Sequence, residues 1–209
     1  MADRGLLIVI SGFAGSGKGT VVKQILADRP YRCSLSTSVT TRSPRPGEEE
    51  GVSYFFRTNE EFERMIREGE LIEYAQYVSH YYGTPKAWVE QKMKEGIDVI
   101  LEIEIQGAMN IKKMYPDAVL IFLMPPGASE LEKRLVGRGT EDAATVRARL
   151  SRACEEAQGI ENYDYLVIND EVEACAGRIE TIADAERLRT GRQADQIRQM
   201  QQELERFRV

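Results

Sequence analysis

Short, wholly apolar runs alternate with stretches of helical spacing over much of the chain. Residues 6–10 are apolar at every position, which is typical of a strand buried on both faces of a sheet. After a glycine-rich turn, apolar residues recur at helical spacing until Pro30. The same pattern predicts strands at 98–105, 118–124 and 165–168, and a helix at 106–115. Strands that alternate with helices predict an α/β fold with a parallel sheet and helices on both faces.

One segment, residues 34–96, departs from this alternation. Asn59 is placed to cap a helix that Gly69 ends, and residues 71–82 predict strands or a hairpin. A second helix is predicted to start at Pro85, since proline is favoured at a helix start. The segment is therefore expected to be a small mixed α/β insertion.

A second segment, residues 127–158, is predicted to be helical and is rich in arginine and glycine. We expect the two insertions to act as closing flaps on the parallel sheet. The predicted single domain spans 5–184 and has a core made of three segments: 5–33, 97–126 and 159–184.

The remaining residues, 185–209, form a polar, helix-prone tail with a narrow apolar stripe. Its members follow a 3-4-3 spacing: Ile197, Met200, Leu204 and Phe207. Two interpretations stay open: a helix that packs on its own domain or frays, and a helix that mediates self-association into a homo-oligomer. Four positions are too few to predict a coiled coil.

Composition and charge exclude several classes of function. The formal net charge is -6 without a basic stripe, which argues against a general nucleic-acid binder. The chain has one histidine and three cysteines without CxxC spacing, so a zinc site is not expected. The apolar runs are far shorter than a membrane span, and we expect no membrane partner and a cytoplasmic location.

The turn after the first predicted strand carries the strongest chemical signal. Its sequence, GFAGSGK at 12–18, fits the G-x-x-x-x-G-K pattern of a phosphate-binding loop, or P-loop, between a strand and a helix. Glycines let backbone N–H groups surround phosphate oxygens at the positive end of a helix, and Lys18 adds a charge for the β- and γ-phosphates. The residues expected to bind ATP here are Gly12, Phe13, Ala14, Gly15, Ser16, Gly17, Lys18, Gly19 and Thr20.

One position of this loop departs from the common pattern. Gly19 stands where a serine or threonine usually binds Mg²⁺, and the hydroxyl comes one residue later at Thr20. We therefore expect Mg²⁺ to bind with ATP largely through waters and phosphates, with Glu102 as a candidate ligand.

A proline-stiffened segment carries Arg42 and Arg45, three residues apart. Forked guanidinium groups suit a doubly charged phosphate, and tyrosine hydroxyls further along could donate to it. On these residues alone, a solvated basic turn with core tyrosines is an equally good interpretation.

The chain resembles the bacterial guanylate kinases over about residues 5–184. The runs that carry the resemblance are STSVTTRSPRPGE (36–48), LIEYA (71–75), YYGT (81–84), EIEIQGA (102–108) and RLVGRGTE (134–141). The resemblance implies a P-loop kinase core, a nucleoside-monophosphate-binding insertion and a lid. It also implies transfer of the γ-phosphoryl group of ATP to GMP, giving ADP and GDP, in purine nucleotide metabolism with GMP and dGMP as acceptors.

The resemblance also assigns roles to residues of this sequence. The acceptor phosphate is assigned to Arg42, Arg45, Tyr54 and Tyr82, and the base side to Ser38, Glu73, Thr84, Glu102 and Glu104. The donor side adds Arg134, Arg138, Arg149 and Asn169, with Asn169 near the adenine. The residues expected to neutralise charge during transfer are Lys18, Arg42, Arg138 and Arg149.

Carboxylate chemistry supports the guanine assignment independently. Guanine offers two adjacent donors, N1–H and the exocyclic amine, which one carboxylate such as Glu73 accepts side by side. Adenine offers an acceptor at N1, so that carboxylate would stay unpaired. Glu102 and Glu104, two apart in a predicted strand, are expected to share one face. The family more often has Asp at the position of Glu104.

Two rival functions stay open from the sequence. One is the same fold with another acceptor, such as AMP, UMP or a phosphorylated ribose, which Glu73 and Ser38 disfavour. The other is a non-catalytic scaffold that binds phosphopeptides, which the retained Lys18 disfavours.

Overall fold

Five parallel strands form the main sheet. The structure, a computed structural model, describes residues 4–77, 79–137 and 142–208. The strand order is β2 (Cys33–Leu35), β7 (Asp98–Glu102), β1 (Leu7–Gly12), β8 (Val119–Met124) and β9 (Tyr165–Ile168). The predicted α/β class with a parallel sheet is confirmed.

Helices cover both faces of this sheet, as the uninterrupted apolar strands require. In β1, Ile8 and Ile10 pack against α1 (Lys18–Asp28) and α7 (Val172–Arg187). Leu7 and Val9 point the other way, since strand side chains alternate, and pack against α3 (Lys86–Lys94) and α4 (Ile105–Met114). Each fully buried aliphatic side chain of this kind contributes about 1.5–3 kcal/mol relative to an exposed one.

The segment between β2 and α3 forms its own four-stranded sheet. Its order is β4 (Phe55–Phe56), β3 (Val39–Thr40), β6 (His80–Pro85) and β5 (Leu71–Tyr77), and β5 and β6 form the predicted antiparallel hairpin. Helix α2 (Asn59–Arg67) packs Phe62 against this sheet. The prediction that Asn59 caps α2 was wrong by one residue. Thr58 is the cap, because its hydroxyl and the Glu61 side chain form a reciprocal capping box.

Two helices, α5 (Ala128–Gly137) and α6 (Ala143–Ala157), follow β8. Their apolar faces pack on Phe13 and Phe122 of the core through Leu131, Leu135 and Val146. The helical prediction for this segment is confirmed for the described residues, and Arg138 lies outside them.

The last helix, α8 (Ala194–Glu205), has no buried residue. All four residues of its apolar stripe are exposed, including Phe207 just beyond the helix. Among the residues that the structure describes, no helix is both long and apolar enough to cross a membrane.

The end of β7 differs from the prediction. The strand was expected to run to residue 105, but it ends at Glu102, where its pairing with Ile10 of β1 also ends. Glu104 is the N-cap residue of α4, which begins at Ile105. Glu102 and Glu104 therefore do not share a strand face, and that prediction was wrong.

Candidate active site

The loop between β1 and α1 depends on glycine at two positions. A Cβ at Gly12 would lie 2.2 Å from the backbone oxygen of Leu123 on the neighbouring strand β8. Gly17 has φ +90, and a Cβ there would lie 2.5 Å from Nδ2 of Asn169. Any side chain at either position would force backbone or buried atoms apart, so the tight loop requires these two glycines.

The loop borders an open cavity of about 410 Å³ at the start of α1. The Lys18 ammonium donates to the backbone oxygens of Gly12 (2.7 Å) and Phe13 (3.3 Å). Helix α1 has no acidic residue in its first turn, so the positive end of its dipole is not offset there. A cavity edged by a lysine and a helix N-terminus is suited to phosphate groups.

Two side chains from distant segments brace the loop from behind. Asn169, which follows β9 and is 3% exposed, donates its amide to the backbone oxygen of Ser16 at 2.8 Å. Arg134 of α5 donates to the backbone oxygen of Asn169 at 3.0 Å and is held by Glu130 at 2.9 Å. Two of the four residues that the resemblance adds to the donor side, Arg134 and Asn169, thus lie at the loop, where they fix its backbone.

The residues near Gly19 fit weak direct binding of Mg²⁺. The Glu102 carboxylate lines the cavity, and its oxygens would lie 3.8 and 3.9 Å from a Cβ at Gly19. Within the described ranges there is no cluster of three or more His, Cys, Asp or Glu side chains that could hold a metal. One carboxylate beside the loop suits a Mg²⁺ ion that keeps waters and phosphate oxygens as its other ligands.

A second cluster of polar side chains lies on the small sheet. Arg42 forms a forked pair with Glu48, at 2.8 and 3.0 Å, and lies over the Tyr54 ring at 5.4 Å. The rings of Tyr54 and Tyr82 meet edge to face at 6.1 Å. The Arg42 hydrogen bonds hold the pKa of the Glu48 carboxyl below its usual value. Arg42, Tyr54 and Tyr82 are thus adjacent, as a phosphate-binding corner requires.

The β5–β6 hairpin places Glu73 opposite Thr84. The Thr84 hydroxyl is buried and donates to Oε1 of Glu73 at 2.8 Å. Burial raises the pKa of the Glu73 carboxyl above its usual value, although the bond from Thr84 opposes part of that rise. Gly107 of α4 lies beside this carboxylate, since a Cβ there would be in ordinary contact with Oε2 of Glu73 at 3.7 Å. A carboxylate fixed in this way can accept two adjacent donors.

Comparison with known proteins identifies the family. A family model described as guanylate kinase matches residues 4–186. The chain belongs to the guanylate kinase family. It is 50% identical over 200 residues to a guanylate kinase of Streptococcus thermophilus, covering 96% of each chain. It is 53% identical over 186 residues to one of Streptococcus pneumoniae, covering 89% of each.

A solved structure supports the same family. The crystal structure of guanylate kinase from Anaplasma phagocytophilum is 36% identical to this chain and superimposes with a TM-score of 0.70. The match covers 91% of this chain and 90% of that protein. The P-loop kinase fold expected from the guanylate kinase resemblance is thereby confirmed.

Glu102, at the end of β7, and Glu104, just after it, face different parts of the site. Glu102 borders the loop cavity, whereas Oε2 of Glu104 accepts from Nη2 of Arg152 on α6 at 2.5 Å. Arg152 also donates through Nε to Glu156 at 2.9 Å. Burial raises the pKa of Glu156 above its usual value, and Arg152 opposes this.

The other residues predicted from the guanylate kinase pattern lie in the small sheet and its loops, on α6 and at the phosphate-loop cavity. Ser38 is half-buried just before β3, and its backbone oxygen accepts from Phe55. Arg45 has an exposed side chain, and its backbone N–H donates to Glu48. Arg149 lies half-buried on α6, and Thr20 lines the loop cavity.

Sequence reasoning missed the residues that hold these groups in place. Glu48, which fixes Arg42, was seen only as part of a resembling run, and Arg152 only as one of several lid arginines. Ser11 was also missed, and its hydroxyl donates to the backbone oxygen of Ile103 at 2.8 Å. The only sequence signal for Glu48 was a weak one, an acidic residue six positions after Arg42. No sequence signal indicated the role of Ser11.

Proposed function

We propose that this protein transfers the γ-phosphoryl group of ATP to GMP, giving ADP and GDP. The observation that carries the proposal is the half-buried Glu73 carboxylate, held through one oxygen by Thr84. Only an acceptor base with two adjacent donors satisfies such a group, and guanine has that pattern. Membership of the guanylate kinase family and the retained phosphate loop with Lys18 support the same reaction.

The proposed reaction needs no general base. An oxygen of the GMP phosphate, already anionic, attacks the γ-phosphorus in line. The bond from that phosphorus to the β–γ bridging oxygen breaks, and ADP leaves. The protein then contributes position and charge neutralisation. We assign this role to Lys18, Arg42, Arg138 and Arg149.

The acceptor phosphate is assigned to the corner of the small sheet. Arg42 offers a planar fork, which Glu48 now occupies and which a phosphate would share or replace. Tyr54 and Tyr82 can donate hydroxyl hydrogens beside it, and Arg45 adds exposed positive charge. The guanine is assigned to Glu73, Thr84 and Ser38, with Glu104 at the same end of the site.

The donor is assigned to the phosphate loop. Residues 12–20 would wrap the ATP phosphates, with Arg134 and Asn169 bracing the loop and Asn169 near the adenine. Glu102 would hold Mg²⁺ or its waters beside Gly19. When bound, Mg²⁺ would neutralise phosphate charge during transfer.

We propose that the chain has three functional parts: an acceptor-binding insertion, a lid and a core. The insertion at 34–96 carries the acceptor corner, residues 127–158 act as a lid, and 5–33, 97–126 and 159–184 form the core. Strand β2 belongs to the main sheet, so the insertion's own strands begin with β3. Closure of both flaps would exclude water, which would otherwise accept the γ-phosphoryl group.

The groups assigned to the acceptor contact its base and phosphate. We therefore propose that dGMP is accepted as well as GMP, which would give the protein a role in recycling both within purine nucleotide metabolism.

An acceptor panel tests the proposal. Purified protein with Mg²⁺ and ATP is assayed for ADP release with GMP, dGMP, AMP, UMP and ribose 5-phosphate. We expect rapid release with GMP and dGMP and at least about 10⁴-fold lower kcat/KM with AMP. Equal rates with AMP or UMP would overturn the guanine assignment. No release with any acceptor, together with phosphopeptide binding, would instead favour a scaffold.

A further inference from the structure

A side chain of the lid helix α6 contacts the core at the turn between β7 and α4. Arg152 donates through Nη2 to Oε2 of Glu104 and through Nε to Oε1 of Glu156. Glu156 lies one helical turn further along α6, so it orients the guanidinium from behind. Arg152 thereby links the lid to the core by a charge-assisted hydrogen bond.

The turn that Arg152 contacts lies between the phosphate-loop cavity and the proposed guanine site at Glu73. Glu102, at the end of β7, borders the phosphate-loop cavity. Gly107, in the first turn of α4, lies against the Glu73 carboxylate. Ser11 fixes the turn itself by donating to the backbone oxygen of Ile103 at 2.8 Å. A lid residue attached to this turn is therefore attached next to the acceptor base.

We infer that Arg152 is a positioning residue that holds the lid helix against the acceptor end of the site through Glu104. The inference rests on the proposed function, since it assumes that Glu104 lies beside bound GMP. Arg152 donates to Oε2 of Glu104, and we assign Oε1 to the acceptor nucleotide. The same contact orients the carboxylate and restrains α6.

The length of the glutamate side chain matters for this contact. The Glu104 side chain is long enough to bring its carboxylate to Arg152. An aspartate at this position would keep the charge but retract the oxygens by about an ångström, beyond direct hydrogen-bond distance of the same guanidinium.

The expected effect is modest because both partners are solvent-accessible. The side chains of Arg152 and Glu104 are 63% and 69% exposed. Exposed ion pairs are weak, so we expect their loss to change GMP use by about two- to fivefold.

Steady-state kinetics tests the inference in the full chain. R152Q and E104D are each expected to raise the KM for GMP by about two- to fivefold while leaving the KM for ATP unchanged. The double variant should be no worse than E104D alone, because R152Q removes a contact that E104D has already removed. R152K, which keeps the charge, should recover part of the loss.

The matched control is R147Q, since Arg147 is an exposed arginine on the same helix. R147Q removes one positive charge, as R152Q does, and should leave the KM for GMP and the KM for ATP unchanged. Equal effects of R147Q and R152Q, or additive effects of R152Q and E104D, would overturn the inference.

A distance measurement without substrates separates this inference from the proposed function. Trp88 of α3 is the single tryptophan, and Cys154 of α6 is exposed whereas Cys33 and Cys175 are buried. A fluorescent acceptor on Cys154 therefore reports energy transfer from Trp88 to the lid helix. We expect R152Q and E104D to lower the transfer, and R147Q to leave it unchanged.

The two readouts fail in different ways. Absence of GDP formation by the unaltered protein would refute the proposed function but leave the distance measurement valid. Identical energy transfer in the unaltered protein, R152Q and E104D would refute the contact between lid and core, whatever the kinetics show.

Discussion

The phosphate loop and the acceptor corner are built in different ways. The loop is made of backbone, and Gly12 and Gly17 are required because neighbouring atoms leave no room for a Cβ. The acceptor corner is made of side chains from strands of the small sheet and the loops between them, held by pairs such as Arg42–Glu48 and Thr84–Glu73. A backbone site binds any triphosphate, whereas a side-chain site selects a base. Donor binding and acceptor choice should therefore respond to different substitutions.

In both the phosphate loop and the acceptor corner, a cationic side chain already donates hydrogen bonds to oxygen atoms of the protein. Lys18 donates to the loop's own backbone oxygens, and Arg42 is paired with Glu48. A phosphate entering either corner exchanges one oxygen partner for another, so the cations are oriented before the substrate arrives. Preorganised charge of this kind stabilises a transition state without reorganisation during the reaction.

Loss of the loop cation should give the largest effect. We expect K18A to lower kcat by about 10²–10³ or more, because it removes the charge that the loop itself places beside the transferred phosphoryl group. Stopped-time assays of ADP formation with GMP measure this. K94A, an exposed lysine of α3, is the control and should keep full activity. Near-normal turnover by K18A would remove the loop from the mechanism.

Loss of the base-selecting carboxylate should act on the acceptor alone. We expect E73Q to raise the KM for GMP about 10- to 100-fold, because the amide accepts at only one atom and leaves one guanine N–H without its charged partner. The KM for ATP should not move. Parallel titrations of the two substrates check this, and an unchanged preference for GMP over AMP in E73Q would show that Glu73 does not select the base.

Gly17 of the loop has a left-handed backbone conformation that a glycine inside a helix does not have, so alanine should have opposite effects at the two positions. We expect G17A to lower the free energy of unfolding by about 1–3 kcal/mol, because of its left-handed conformation and its approach to Asn169. G177A is the matched variant, since Gly177 lies inside α7 with open space around it. It should raise the free energy of unfolding by about 0.5–1 kcal/mol. Urea unfolding measures both, and equal effects would mean that the loop is not tightly constrained.

Acidic pH should weaken the acceptor corner before the donor loop. Burial raises the pKa of Glu73, and only the ionised carboxylate accepts two donors. GMP affinity should therefore fall as pH is lowered through this raised pKa, at a higher pH than for an ordinary glutamate. The phosphate of GMP also titrates, but its protonation affects the KM of both proteins equally. The ratio of the KM for GMP of E73Q to that of the unaltered protein therefore reports the ionisation of Glu73 alone. This ratio should shrink towards one in acid; a constant ratio would contradict the assignment.

The tail should have the smallest effect on catalysis. Its stripe of Ile197, Met200, Leu204 and Phe207 is exposed, which favours self-association over packing on its own domain. We expect the full chain to sediment as an oligomer, and a version ending at residue 193 to sediment as a monomer with unchanged KM values. Monomeric full-length protein would leave the tail without a role in assembly.

The sequence predicted the parts of the fold that depend on local pattern. The strand–loop–helix unit around Lys18 and the β5–β6 hairpin follow from short-range periodicity and glycine placement, and both are confirmed. The limit of β7 was wrong for a physical reason. Ile103 and Ile105 continue the apolar pattern, but they pack against the neighbouring helices after the sheet pairing has ended at Glu102.

Contacts between distant segments could not be predicted in this way. The prediction that Asn169 lies near the adenine did not include the hydrogen bond from its amide to the backbone oxygen of Ser16, which depends on where β9 ends. The pairing of Glu104 with Arg152 depends on where α6 crosses the turn, which no local pattern encodes. Residue types indicated the chemistry of the site, whereas the partners that orient each group required the fold.

The central claim is tested most directly by following the phosphoryl group itself. The full-length protein is incubated with Mg²⁺, GMP and ATP labelled with ³²P at the γ-position, and the products are separated. The account predicts that the label appears at the β-position of GDP, with unlabelled ADP formed in equal amount. Label found only in inorganic phosphate, or in no product, would contradict it.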